Sequence, residues 1–203
     1  MEKSIIFYAT ELPDWNKIPN IVLKTMSENN HSNVESFAQI CYNDNTLFVH
    51  MWANESSIRA EVNDLFSQVC EDSCLEFFFR PDMNDLRYFN IEVNPNGCYF
   101  LGFGSSFKDL IRLYPLAQPF DIVTNRYHGG WEVELTIPFR FIQQFFPTFS
   151  PSPGDCMFAN FYKCGDLTPI PHYLCWNITP KIQHGFHSPQ HFGLLKFGDK
   201  STL

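Results

Sequence analysis

Short segments in which apolar and polar residues alternate recur along the chain, and turn residues separate them. The segment 131–139, WEVELTIPF, shows the alternation most clearly. Such a pattern is typical of a β-strand that buries one face. The sequence predicts about ten strands, located at 36–42, 46–53, 72–80, 87–93, 97–103, 120–127, 131–139, 156–163, 172–178 and 191–197.

The turns and helices complete the predicted fold. Asn43-Asp44-Asn45 and Asn94-Pro95-Asn96-Gly97 each separate two strand segments and indicate hairpins. Segment 57–68 places Ile58, Val62, Leu65 and Phe66 at helical spacing, and segment 140–146 has room for one or two further turns. We therefore predict an all-β antiparallel β-sandwich with one or two short helices, which forms a single domain over residues 1–203.

The alternation also assigns side chains to faces. Leu75, Phe77 and Phe79 share one face of their segment, so Glu76 lies on the other. By the same rule, segment 87–93 points Phe89, Ile91 and Val93 inward, and Glu92 and Asn94 point outward. In segment 156–163, Phe161 lies on the face opposite to Asn160 and Tyr162. Antiparallel sheets commonly have one core face and one solvated face. The polar face is predicted to be either solvent surface or a binding surface.

Charge and composition narrow the choice of partners. The chain of 203 residues has a net charge of −8 and no run of Lys or Arg, so neither nucleic acid nor an anionic membrane is an expected partner. The apolar stretch 5–8 is too short for a signal peptide. We expect a cytoplasmic location, or a secreted or periplasmic one if a leader has been removed. The sequence does not indicate the oligomeric state.

Metal ligands are the next candidates for chemistry. The seven cysteines are odd in number and include no CxxC pair, which favours reduced thiols over a zinc ribbon or disulfides. His187 and His191 have the helical zinc spacing, but Pro189 between them disfavours a helix. Convergence of His172, His184 and His191 stays open as an alternative. We expect no metal and no cofactor, with structural calcium at Asp82, Asn84 and Asp85 as a weak possibility.

Six segments arrive in an order typical of one family: EDSCLEFFFRPD, YFNIEVNPNG, WEVELTIPF, ANFYKCGD, HYLCWNITP and FHSPQHFGLLKF. The chain resembles carbohydrate-binding module family 9 and its bacterial relatives over at least residues 71–197. The resemblance implies a β-sandwich that binds the ends of sugar chains without cleaving them. It also implies that structural calcium can be present.

The resemblance carries over to individual positions. Glu76 matches a glutamate that hydrogen-bonds sugar hydroxyls in the family. Members hold a sugar between two tryptophans, and Cys70 and Phe186 stand at those positions here. Glu92 stands where members have a sugar-binding arginine. Tyr162 lies near the position at which members have a glutamine on the late strand.

A sugar ring has an apolar face and a rim of hydroxyls, so aromatic rings and charged or amide groups suit it. The hypothesis is one shallow concave site beside the C-terminal turn.

Non-catalytic carbohydrate binding is the predicted function. Open alternatives are a glycoside hydrolase using Glu76 and Glu92, and an interaction domain that has lost sugar binding. The residues could instead be structural, with Trp176 in the core. The candidate ligand-binding residues are Glu76, Glu92, Asn94, Asn160, Tyr162, Lys163, Trp176, Phe186 and His187.

Overall fold

Two layers of strands make up the fold in the computed structural model, which describes residues 1–26, 32–64, 67–178 and 185–200. Three 3₁₀ turns, at Trp15–Lys17, Val69–Glu71 and Pro189–His191, accompany the strands and one short helix. Within these ranges, no helix has the length and apolar character needed to cross a bilayer. The elements are β1 Lys3–Tyr8, β2 Ile21–Thr25, β3 Glu35–Tyr42, β4 Thr46–Asn54, β5 Cys74–Arg80, β6 Tyr88–Val93, β7 Tyr99–Gly104, β8 Ile111–Arg112, β9 Asp121–Tyr127, β10 Gly130–Pro138, α1 Phe139–Gln143, β11 Cys156–Cys164, β12 Tyr173–Cys175 and β13 Gly193–Phe197.

The pairing order explains how the layers join. One layer runs β8-β7-β6-β5-β11, and β11 also pairs with β12 and β13. The other layer runs β2-β3-β4-β10-β9. Strand β1 pairs in parallel with both β13 and β3, and β2 pairs with β12, so two strands connect the layers. The predicted β-rich sandwich is confirmed. Three strands, β1, β2 and β8, were not predicted.

The inner faces of both layers form one core. Leu75, Phe77 and Phe79 of β5 are fully buried there, as are Ile91 of β6 and Phe161 of β11. The facing layer contributes the alternate residues of β10, which are also buried. The face assignments made from the alternation are confirmed. Large Phe side chains supply much of the apolar area, and burial of each is worth roughly 1.5–3 kcal/mol.

The outer face of the β5–β6–β11 sheet is covered as well. Phe78, Tyr88, Tyr162 and Phe192 form a second apolar cluster on that side, together with Cys175. Phe192 belongs to the C-terminal segment 185–192, which crosses this face before β13 begins. Every residue of β5 and β6 is therefore buried. Glu76 and Glu92 are thus not solvated surface residues.

The helix predicted over 57–68 is wrong for the residues that the structure describes there. Residues 57–64, 67 and 68 are not helical, and Leu65 and Phe66 lie outside the described residues. The buried Asp72 carboxylate accepts hydrogen bonds from the backbone N–H groups of Glu61 and Val62, at 3.0 and 2.9 Å. A buried carboxylate that binds backbone donors stabilises this extended path. The second helix prediction is confirmed by α1.

Candidate functional site

A cavity of about 180 Å³ opens on the outer face of the β5–β6–β11 sheet. Glu76 of β5 and Glu92 of β6 are direct register partners and lie side by side at its floor. The last turns of the chain form a wall. The lining residues are Cys70, Glu76, Glu92, Cys164, Asp166, Tyr173, Gly185, Phe186 and His187.

The two floor glutamates have few protein partners. Glu76 Oε1 accepts from Cys164 Sγ at 3.0 Å, and Glu92 Oε1 accepts from Asn90 Nδ2 at 3.0 Å. Neither carboxylate forms an ion pair with any residue in the described part of the chain. The floor therefore offers oxygen atoms that remain available to a ligand.

Burial controls the protonation of both groups. Desolvation, reinforced by the neighbouring Glu92, raises the pKa of Glu76 well above its usual value. Desolvation also raises the pKa of Glu92 to about 7, against the opposing effects of Asn90 and Arg112. The pair therefore keeps protons to a higher pH than free carboxyl groups do, and a protonated carboxyl group can donate a hydrogen bond to a hydroxyl group as well as accept one.

Phe186 supplies the aromatic wall. Its ring stacks on that of Tyr162, with centroids 4.1 Å apart and planes 14° apart. The Tyr162 hydroxyl donates to the Phe186 carbonyl oxygen at 3.1 Å, which fixes the backbone as well as the ring. Gly185 precedes it with φ +62°, a left-handed conformation that suits glycine. Tyr162 thus supports the wall from beneath and does not line the cavity.

His187 is held at the rim of the cavity. Its Nδ1 lies 2.9 Å from the Tyr88 hydroxyl, and its ring packs near those of Phe78 and Phe107. Of the three histidines in the zinc alternative, His172 lies beside Lys163 in a buried network. His191 lines a different hollow with Asn177, and His184 lies outside the described residues.

Three other predicted site residues lie elsewhere, so the expectation that all nine share one site is wrong. Asn94 Nδ2 donates to the Val62 carbonyl oxygen and to Asp72, which anchors the extended 58–64 segment. Asn160 forms two hydrogen bonds with the backbone of Asn177. Trp176 packs in the inner core, where a Cβ on Gly193 would come within 2.6 Å of its ring.

Lys163 also points away from the cavity. It neighbours Cys164 on β11, so it lies on the opposite face of the strand, and it is fully buried. Its Nζ lies 3.2 Å from Glu55 Oε2 and 2.7 Å from His172 Nε2. Glu55 also accepts hydrogen bonds from Ser73 Oγ and Trp131 Nε1. This buried network links the two layers.

The network predicts a pH dependence of stability. Burial and the nearby Lys163 lower the pKa of His172, so the unfolded chain binds more protons than the folded chain below about pH 6.5. Stability is therefore lost as the pH falls from 6.5 through the folded pKa of His172, by up to about 1.4 kcal/mol per pH unit. The free energy of unfolding of wild type and His172→Gln, measured in urea from pH 7.5 to 5, checks this. The wild-type advantage should shrink on acidification; a constant difference contradicts the assignment.

Sequence reasoning missed four lining residues, Cys164, Asp166, Tyr173 and Gly185, and it named Cys70 only as the residue at a family tryptophan position. Alternation along β11 could have found Cys164, since Tyr162 and Cys164 share the face of Glu76. Asp166 lies beyond the end of β11, where no periodicity applies. Tyr173 begins β12, whose three residues are too few for alternation to assign a face. Burial raises the pKa of Asp166, and hydrogen bonds from Tyr173 and Cys70 oppose that shift.

A β-sandwich with a small, acidic, ring-walled cavity on one sheet is the class that this geometry defines. A model of carbohydrate-binding family 9 matches residues 9–197. The chain belongs to this family. The family resemblance predicted from six short segments is therefore confirmed.

Solved structures share this fold. A protein of Bacteroides uniformis ATCC 8492, provisionally described as carbohydrate-binding, is 25% identical with a TM-score of 0.81, and the match covers 97% of this chain and 99% of that one. A family 9 module of Caldicellulosiruptor kristjanssonii has been solved with cellotriose, at 14% identity and a TM-score of 0.72, covering 98% and 95% of the two chains. A family 9 module of the same organism, solved with glucose, has a TM-score of 0.69 at 14% identity, and the match covers 98% and 97% of the two chains. No curated protein sequence matches the chain.

Proposed function

We propose that this protein binds a carbohydrate through the Glu76–Glu92 cavity and does not cleave it. The observation that carries the proposal is the combination of family membership with a cavity that contains both a hydroxyl-binding floor and a rigid ring. Carboxyl groups hydrogen-bond sugar hydroxyls, and the Phe186 ring suits the apolar face of a sugar.

The size of the cavity limits the ligand. Its volume of about 180 Å³ lies below the roughly 300–1,000 Å³ of sites for drug-sized molecules. We infer that one sugar ring enters, as a free monosaccharide or as the end of a chain. The family 9 module solved with glucose and with cellotriose provides the probes for a test.

The arrangement of the glutamates favours binding over hydrolysis. Glycosidases place two carboxyl groups on either side of the scissile bond, roughly 5–9.5 Å apart. Here both glutamates project from neighbouring strands of one sheet, so they approach a ligand from the same side. This common direction supports a non-catalytic role.

Calorimetric titration with glucose, with cellotriose and with a panel of other mono- and oligosaccharides tests the proposal. We expect saturable binding of at least one sugar and a loss of at least about tenfold in affinity for Glu92→Ala, because one charge-assisted bond is worth roughly 1.5–3 kcal/mol. Glu134→Ala, on the outer face of β10 in the other layer, is the matched control and should bind like wild type.

Two results would overturn the proposal. If no sugar of the panel binds to folded wild-type protein, the carbohydrate function is wrong, and the interaction-domain alternative gains support. If chromatography shows shorter products after long incubation with cellotriose, the non-catalytic part is wrong.

A further inference from the structure

Two cysteines and a glutamate converge beneath the cavity. Cys74 of β5 and Cys164 of β11 are direct register partners, and Glu76 lies two residues along β5 on the same face. The two Sγ atoms and a carboxylate oxygen all lie within 4.8 Å of one another. Across residues 1–26, 32–64, 67–178 and 185–200, this is the one group of three such ligands with that spacing.

The contacts within this cluster are unusual for groups that only stabilise the fold. Cys74 is fully buried, and Cys164 and Glu76 are each 2% exposed. Among the residues that the structure describes, the Glu76 carboxyl group accepts one hydrogen bond, from Cys164 Sγ, and a thiol is a weak donor. The two sulfurs and the carboxyl oxygen are close enough together for one cation to contact all three. A cation bound there would interact with a carboxyl group that has no other strong hydrogen-bond donor among the bonds described above.

The donor atoms indicate which cation. Two thiolates and one carboxylate form a mixed soft and hard set, which suits zinc and not calcium or magnesium. In a tetrahedral zinc site with Zn–S bonds of about 2.3 Å, the sulfurs lie roughly 3.8 Å apart. Atoms already within 4.8 Å reach this spacing by small side-chain rotations.

We propose that Cys74, Cys164 and Glu76 bind one Zn²⁺ ion at the floor of the cavity. Cys164 and Glu76 line the cavity, so the fourth coordination position is accessible to water or another small ligand from that side. Zinc sites with three protein ligands and one exchangeable position are a common arrangement. Binding releases the thiol protons to solvent, and it does not depend on the proposed sugar binding.

The test uses the full chain, purified without a metal-binding tag and kept reduced. The protein is incubated with Zn²⁺, separated from unbound metal by gel filtration and analysed for metal content. We expect about one zinc per chain for wild type and background levels for Cys74→Ser and Cys164→Ser. Cys156→Ser and Cys41→Ala, two cysteines outside the cluster, should retain the metal.

Cobalt gives a second measurement that does not depend on a serine variant folding. Wild type loaded with Co²⁺ should show thiolate-to-cobalt absorption in the near ultraviolet together with tetrahedral visible bands. Glu76→Gln keeps both thiols and should lower the affinity for Zn²⁺ at least about tenfold, since it removes one charged ligand.

Three outcomes would overturn the proposal. Zinc at background level in folded, reduced wild type is one, and cobalt without thiolate absorption is another. The third is a Cys74–Cys164 disulfide in protein that is never exposed to oxidant, detected as five reactive thiols of seven after denaturation. A failed zinc test leaves the sugar-binding proposal intact, since sugar titration in the presence of a chelator measures that function separately.

Discussion

Lys163→Met is expected to lower the free energy of unfolding by about 3–5 kcal/mol, because it leaves a buried charge without its partner. Lys163 is fully buried, and its Nζ lies 3.2 Å from Glu55, which is 3% exposed. Methionine keeps most of the side-chain volume, so lost packing contributes little. Urea unfolding followed by tryptophan fluorescence at pH 7.5 measures the change.

A double variant separates charge from packing. Lys163→Met combined with Glu55→Gln removes both charges. In wild type, Ser73 Oγ and Trp131 Nε1 donate to the Glu55 carboxylate, and the amide oxygen of the glutamine can still accept from either of them. The double variant should recover at least half of the loss, because buried ion pairs replaced as a unit cost little. A double variant less stable than Lys163→Met would contradict the charge explanation.

Phe186→Ala is expected to weaken sugar binding about 30-fold while the fold persists. The ring forms the wall of the cavity and stacks on Tyr162 at 4.1 Å, so its removal deletes the aromatic surface nearest the floor glutamates. Loss of one ring contact of this kind costs roughly 2 kcal/mol. Calorimetric titration with the sugar that wild type binds best measures the effect.

Two further variants sharpen this experiment. Phe186→Trp should bind at least as tightly as wild type, since it offers a larger flat ring at a position where the family has tryptophan. Tyr114→Ala removes an exposed ring that is not among the cavity residues and should leave affinity unchanged. Wild-type affinity in folded Phe186→Ala would place the sugar elsewhere on the molecule.

Much of the fold follows from periodicity in the sequence. Alternation identified the inner faces of β5, β6, β10 and β11, because a residue on the wrong face would place a polar group in the core. Turn residues located the hairpins between β3 and β4 and between β6 and β7. The strands β1, β2 and β8 were missed since they are short or irregularly patterned, and pairing with neighbours holds them in place.

The failed helix shows how distant side chains override local preference. The 57–68 segment has helical spacing, yet Asp72 binds the backbone N–H groups of Glu61 and Val62. Helix propensity amounts to less than about 1 kcal/mol per residue. Buried, charge-assisted hydrogen bonds contribute more free energy than that, and the local sequence pattern does not predict them.

The amino-acid order alone therefore determined the fold class and the inner faces of β5, β6, β10 and β11. The family resemblance associated Glu76, Glu92 and Phe186 with one site. Tertiary structure decided which polar residues meet a cavity. Glu76 and Lys163 both looked like binding residues, but one lies at the cavity floor and the other in the buried Glu55 network. The physical reason is that strand alternation assigns a face, whereas the segments that cover that face come from distant parts of the chain and leave only part of it open.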